Sequence, residues 1–232
     1  MGMTLKQTLR HPRLSNQGVT LIELMIAMTI FLLVLGAIYS TFQSQHKSYL
    51  MQEEVAAMQQ NMRAAMFYLT KEIRMAGCDP TGSGGSGIVT ANSDSIRFTE
   101  DVRGDFDPDV PVDDPNPDGD IDDPNEDITY NLDDSDGDGV DDELDRNNQT
   151  VAQNIDALDF VYLDADGNTT ATLTDIRSVE ITIVARTGRA LRATKDNNLY
   201  KNQQGDTILG PQNDNFSRKS STTFIKCRNL GI

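Results

Sequence analysis

Gly18-Val19-Thr20-Leu21-Ile22-Glu23-Leu24 opens an apolar run that continues to Tyr39, and the reading of this stretch decides the fold. Between Val19 and Tyr39 the one side chain charged at pH 7 is Glu23. As a helix the run is long enough to span a bilayer, which takes about 20 apolar residues. Ahead of it stand Lys6, Arg10 and Arg13 and no acid, so this head is expected to stay on the cytoplasmic side. A secretory signal would have a shorter apolar region followed by a small-residue cleavage site. Here the glycine comes before the apolar run, and a carboxylate follows it. An unpaired carboxylate inside a membrane helix costs about 3 kcal/mol or more, so Glu23 reads as functional. The alternative is a plain signal anchor that tolerates an acid near its end.

The pattern Gly-x-Thr-Leu-Ile-Glu-Leu resembles the class III leader of type IV prepilins and type II secretion pseudopilins. That resemblance implies a prepilin peptidase in the membrane, which cuts after Gly18 and methylates the new N-terminus at Val19. It also implies that Glu23 of one subunit meets the free amine of Val19 on a neighbour as a filament grows. Residues 1–18 are then a cleaved leader, 19–76 a transmembrane and filament-core helix, and 77–232 a β-rich globular domain. The family often carries a helix-breaking proline partway along; this chain has Ser40 in that region and only Gly36 as a weak point.

Composition narrows the partners. Loss of residues 1–18 removes three basic residues and no acid, taking the formal charge from −16 to −19. Nucleic acid is thereby disfavoured as a partner, because phosphate binding needs a basic patch. After the helix enough chain remains for one small domain with its own core.

The helix is expected to run well past the membrane, since after Tyr39 no proline occurs until Pro80. Val55, Met58, Met62, Met66, Leu69 and Ile73 recur at spacings of three and four, marking one apolar stripe. Such a Met-rich stripe reads as core rather than as a ligand box. Lys71, Arg74 and Gly77 make a helix stop. Thr81–Gly87 reads as a flexible linker. Strand-like segments follow at Ile88–Thr90, Ser95–Thr99, Asp127–Leu132, Ile155–Leu163, Ile176–Arg186 and Thr222–Arg228. Residues 178–184 alternate as a half-buried antiparallel strand does, and Asp164–Asn168 reads as a hairpin turn. Thr187–Ser221 is polar and reads as a long surface excursion. One helix against an antiparallel sheet is an α+β, pilin-like arrangement.

Four further segments carry a finer resemblance: Glu72–Gly77, Phe160–Asp164, Ile176–Val179 and the ending Arg228–Gly231. They look like the PilW family of minor pilins. The likeness implies association with other major and minor pilins and extends to a tip adhesin. It also implies a single-pass inner-membrane precursor with a periplasmic C-terminal domain, which then joins a pilus fibre at the cell surface.

Between Asp101 and Asp145 lie 20 of the 36 acids, with Arg103 the only Lys or Arg. An EF-hand-type calcium loop takes oxygen ligands at positions 1, 3, 5, 7, 9 and 12, with glycine at 6. Asp134, Asp136, Asp138, the Val140 carbonyl, Asp142 and Asp145 fit, with Gly139 at the turn. The closing Asp makes the pattern resemble the aspartate-rich loops of thrombospondin type 3 and dockerin modules. Asp114, Asn116, Asp118, the Asp120 carbonyl, Asp122 and Asn125 form a weaker candidate, stiffened by Pro115 and Pro117. Ca²⁺ is therefore the expected ion. The competing reading is an acidic, solvated loop in which like charges repel.

Cys78 and Cys227 are the only cysteines. On the oxidising side of a membrane they are expected to pair, worth about 5 kcal/mol in the chain-entropy model; two free buried thiols are the alternative. Removal of His11 with the leader leaves His46 alone, too few ligands for zinc. With no nucleophile motif either, an enzyme is not expected. The leading expectation is a minor pilin that starts assembly of a type IV pilus or occupies its tip. The alternatives are a minor pseudopilin of a type II secretion system and a calcium-dependent surface adhesion module.

Overall fold

The computed structural model describes residues 18–104, 116–137 and 139–231. Its first element is a single helix, α1 (Leu21–Ile73), which no proline interrupts. The chain forms two compact units, one ending at Tyr49 and the other spanning Leu50–Ile232, so the boundary falls within α1.

In the second unit α1 buries Met58, Met62, Ala65, Leu69 and Ile73, residues three and four apart on one face. The expected stripe holds with a shift: Ala65 is fully buried, and Val55 and Met66 are half-buried at the margin of the core. Beyond Ile73 the chain turns, and the Gly77 N–H donates to the Thr99 carbonyl at 3.0 Å. Gly77 has a φ of 76°, and a Cβ there would stand 2.5 Å from the Leu230 side chain. The positive φ is what favours glycine here, while the tip of the Leu230 side chain could shift aside.

Five antiparallel strands then form a meander: β1 (Ile88–Ala91), β2 (Ile96–Thr99), β3 (Asp127–Asp133), β4 (Glu143–Arg146) and β5 (Gln149–Ala152). A second sheet has the order β10-β7-β6, built from β6 (Ile155–Leu163), β7 (Ser178–Arg186) and β10 (Arg218–Lys226). A short hairpin, β8 (Tyr200–Lys201) with β9 (Thr207–Leu209), lies in the polar excursion. The architecture is α+β. Ile96, Phe98, Ile128, Tyr130 and Leu144 from the first sheet share one core with Phe160, Val179, Ile181 and Ile225 from the second and with the α1 stripe. β7 departs from simple alternation. As the middle strand of its sheet it buries Glu180 and Thr182 as well as its apolar face.

Two expectations from sequence need correction. Residues 81–87 are not an unstructured tether: the Asp79 carboxylate accepts hydrogen bonds from the Gly82 and Gly85 N–H groups at 2.7 and 3.0 Å and from the Thr81 hydroxyl at 3.0 Å. β4 and β5 were hidden within and beside the acidic stretch. They form a hairpin around Asn147 and Asn148, both at positive φ. Two consecutive left-handed residues give the turn whose twist matches a β-hairpin, and asparagine tolerates that backbone better than most residues.

Two ionic networks hold the domain's surface elements. Glu72 on α1 accepts from Tyr130 Oη at 2.6 Å and from Arg146 Nε at 2.8 Å, tying the helix to β3 and β4. Arg218, only 3% exposed, bonds Asp156 and Asp214, while Arg186 bonds Asp142 and Asp156. Both guanidinium groups lie over the Phe216 ring, at 4.8 Å for Arg186 and 5.9 Å for Arg218. This network anchors the returning end of the polar excursion, which sequence alone marks only as surface.

Candidate functional site

The first compact unit carries the N-terminal site. Its described part begins with Gly18, Val19 and Thr20, all exposed, and enters α1 at Leu21. Thr20 is the helix N-cap. Its hydroxyl accepts the Glu23 N–H at 3.3 Å, and the Glu23 carboxylate reaches back to the Thr20 N–H at 3.4 Å. This is a capping box, the Thr-x-x-Glu arrangement in which two otherwise orphaned donors are satisfied reciprocally. Glu23 therefore has a role within one chain that spacing to Gly18 does not reveal. Its bond to Thr20 is long, and the carboxylate stays exposed at the helix start.

From Leu21 to Phe42 the large apolar side chains are exposed, including Ile22 at 68% and Leu33 at 71%. The helix is long and apolar enough to cross a membrane. Two of its hydroxyls are satisfied internally: that of Thr29 donates to the Met25 carbonyl at 2.9 Å and that of Thr41 to the Ala37 carbonyl at 3.0 Å. Such back-bonding removes the cost of a bare hydroxyl in hydrocarbon. An apolar shaft of this length, exposed all round, requires lipid or other subunits to cover it.

The acidic stretch holds a second set of candidates in the Leu50–Ile232 unit. Asp138 lies outside the described residues. Of the other expected ligands, Asp134 and Asp136 come together, and the carboxylate that joins them is Glu143; one oxygen of each lies within 4.8 Å of the others. Asp142 lies beside the Glu143 carboxyl and is bonded to Arg186. Asp145 is fully buried in β4 and accepts the Ser135 hydroxyl at 2.5 Å, while the Val140 carbonyl accepts the Asp142 N–H at 2.9 Å. The expected twelve-residue loop is thus cut short, because the chain is already a β-strand at Glu143. Burial, a hydrogen bond with the Asp142 carboxyl and the charges of Asp142 and Asp136 push the Glu143 carboxyl up to about 7.

The weaker loop is described only in part. Asp114 lies outside the described residues, and Asn116 and Asp122 are exposed. The carboxylates of Asp118 and Asp120 each accept the N–H two residues on, at 3.2 and 3.3 Å. The Asn125 side-chain oxygen is occupied by Arg146 Nη1 at 3.0 Å.

The Cys78–Cys227 bridge is not formed; both cysteines are free, Cys227 buried and Cys78 partly so. They line separate cavities that share Leu230. Burial pushes the Cys227 thiol up to about 11, and burial with the charges of Glu100, Asp101 and Asp79 raises that of Cys78. Protonated thiols are poor nucleophiles for forming a disulfide.

Comparison with known proteins adds to this geometry. Residues 13–39 match the model of the prokaryotic N-terminal methylation motif. No curated protein matches the chain by sequence. Among solved structures the chain is similar to a type IV-like pilin from Thermus thermophilus, at 11% sequence identity and a TM-score of 0.48. That alignment covers 78% of this chain and 99% of the other.

Proposed function

We propose that this chain is a minor pilin, a structural subunit and not an enzyme. It enters the inner membrane through α1, is cut between Gly18 and Val19, is methylated at Val19, and joins a type IV pilus with other pilins. The observation that carries this reading is the methylation motif over residues 13–39 continued by a helix whose apolar shaft is exposed all round. A prepilin peptidase is the partner that the motif calls for. Once Val19 is the N-terminus, its amine lies beside the helix start that Glu23 caps. In a filament Glu23 exchanges its long Thr20 bond for the amine of a neighbouring subunit, so that two charges cancel in a medium where each alone is costly. The hydrocarbon-facing shaft is then covered by the shafts of other subunits.

The globular unit, with its acidic stretch, faces the periplasm first and the outside later. The four PilW-like segments support a role at the start of assembly or at the tip. A minor pseudopilin of a type II secretion system would use the same leader and helix, and an adhesive tip module would use the same shaft.

An in-frame deletion scored for sheared surface pili and for secreted enzymes tests the proposal. Loss of pili with normal secretion is expected. Normal pili with blocked secretion would transfer the chain to the secretion system, and loss of adhesion with normal pilus number would make it an adhesive module.

A further inference from the structure

We propose that the turn joining β3 to β4 binds a calcium ion through Asp134, Asp136 and Glu143. The three carboxylates converge, with one oxygen of each inside a 4.8 Å circle. What points to a ligand is the state of the buried oxygens. Glu143 is 2% exposed; the Asp142 side chain and the Ser135 N–H reach its carboxyl, yet its Oε2 has no hydrogen-bond partner, and Asp134 Oδ1 is likewise buried without a donor. Asp145 lies two residues beyond Glu143 on the same face of β4, and its Oδ1 is a third buried oxygen without a donor. Its other oxygen holds Ser135, the residue between Asp134 and Asp136, so this carboxylate backs the same turn.

A buried carboxylate oxygen without a partner is costly, and like charges beside it raise that cost. The local basic group cannot relieve it, because Arg186 is engaged by Asp142 and Asp156. A cation is the partner that satisfies several carboxylates at once. An all-oxygen donor set selects a hard ion. The turn carries Gly137 and Gly139 at positive φ and leaves Asp136 exposed, so coordination can be completed by carbonyls and water in variable number. That suits calcium, which takes six to eight oxygens flexibly, better than magnesium with its strict octahedron. Glu143 replaces the expected Asp at the closing position: the longer side chain reaches from the strand back to the turn.

The binding does not depend on the chain being a pilus subunit, and its test is separate. The full chain in detergent, stripped of metal by a chelator, is titrated with calcium chloride in a calorimeter, and its urea midpoint is measured with and without calcium. Saturable heat and a raised midpoint are expected. Glu143→Gln and Asp136→Asn are each expected to weaken calcium binding about tenfold or more, since even groups outside the ligand shell are worth that much at metal sites. Without calcium the Glu143→Gln chain is expected to unfold at the same urea concentration as the parent or higher, because a buried charge has been removed. Asp136 is exposed, so Asp136→Asn keeps the test valid should Glu143→Gln fail to fold. Asp166→Asn, in the β6–β7 turn, is expected to bind as the parent does. Absence of heat at millimolar calcium, or binding unchanged in Glu143→Gln and Asp136→Asn, would overturn the site. Equal affinity for magnesium would overturn the choice of ion.

Discussion

Replacing Glu100 by Gln is expected to change how the stability of the globular unit depends on pH. Glu100 follows β2, is 8% exposed, and has its Oε2 buried without a hydrogen-bond partner. Burial is the main reason its carboxyl is raised from 4.5 to about 7; the charges of Glu72 and Glu126 push the same way, against Arg146 and Lys71. Between those two values the folded chain holds a proton that the unfolded chain has released. Stability from this group is therefore full below the unfolded value and is lost as pH rises through the folded one. The span between the values corresponds to about 3 kcal/mol at 1.36 kcal/mol per unit. Gln at this position is neutral throughout. The variant should match the parent near pH 4.5 and exceed it by up to about 3 kcal/mol at pH 8. With no Trp in the chain, the buried Tyr130 and Tyr162 report unfolding by near-ultraviolet circular dichroism. Urea titrations across this range, with chelator present, give the difference between variant and parent, in which other titrating groups cancel. A difference that stays flat with pH would refute the argument.

Four other outcomes follow from the same structure. Glu23→Ala should insert into the membrane yet be lost from sheared filaments, scored by immunoblot of membrane and pilus fractions; equal incorporation would remove the pairing with Val19. Arg218→Ala takes the bidentate guanidinium from Asp214 and leaves buried Asp156 with Arg186 alone, and should lower stability by about 3 kcal/mol in urea unfolding. Leu69→Ala, at a fully buried position of the α1 stripe, should cost about 2–5 kcal/mol by the same assay. Because Cys78 and Cys227 are free, thiol titration of the unfolded chain should find both, and a reductant should leave the urea midpoint unchanged.

The elements that sequence reveals are those whose apolar residues follow a simple period. The α1 stripe, β3, β6 and β7 each set apolar residues at the spacing their geometry demands, and they form where expected. β4 and β5 break that rule. In Glu143-Leu144-Asp145-Arg146 the one apolar residue is Leu144, and both flanking acids are buried. Their strand character comes from pairing with β3 and from the Asn147–Asn148 turn, neither of which is visible as hydrophobic periodicity. The arginine network is hidden for a similar reason. Arg186 and Arg218 read as strand-end surface residues, and only the antiparallel register that sets Arg218 opposite Arg186 brings their acids together.

That hidden strand also decides the chemistry of the acidic stretch. Counting along a calcium loop assumes that the chain stays a loop to its twelfth residue, which places Asp142 and Asp145 among the ligands. Pairing of Leu144 with Leu132 instead commits residues 143–146 to β4. Successive side chains of a strand point to opposite faces, so Glu143 and Asp145 share one side, while Asp142, just before the strand, touches the Glu143 carboxyl and has a basic partner as well. Arg186 is that partner. Asp142 thereby becomes part of the scaffold that ties the turn to β7, and Glu143, which no loop position predicts, is left facing Asp134 and Asp136 with a buried oxygen that no donor satisfies.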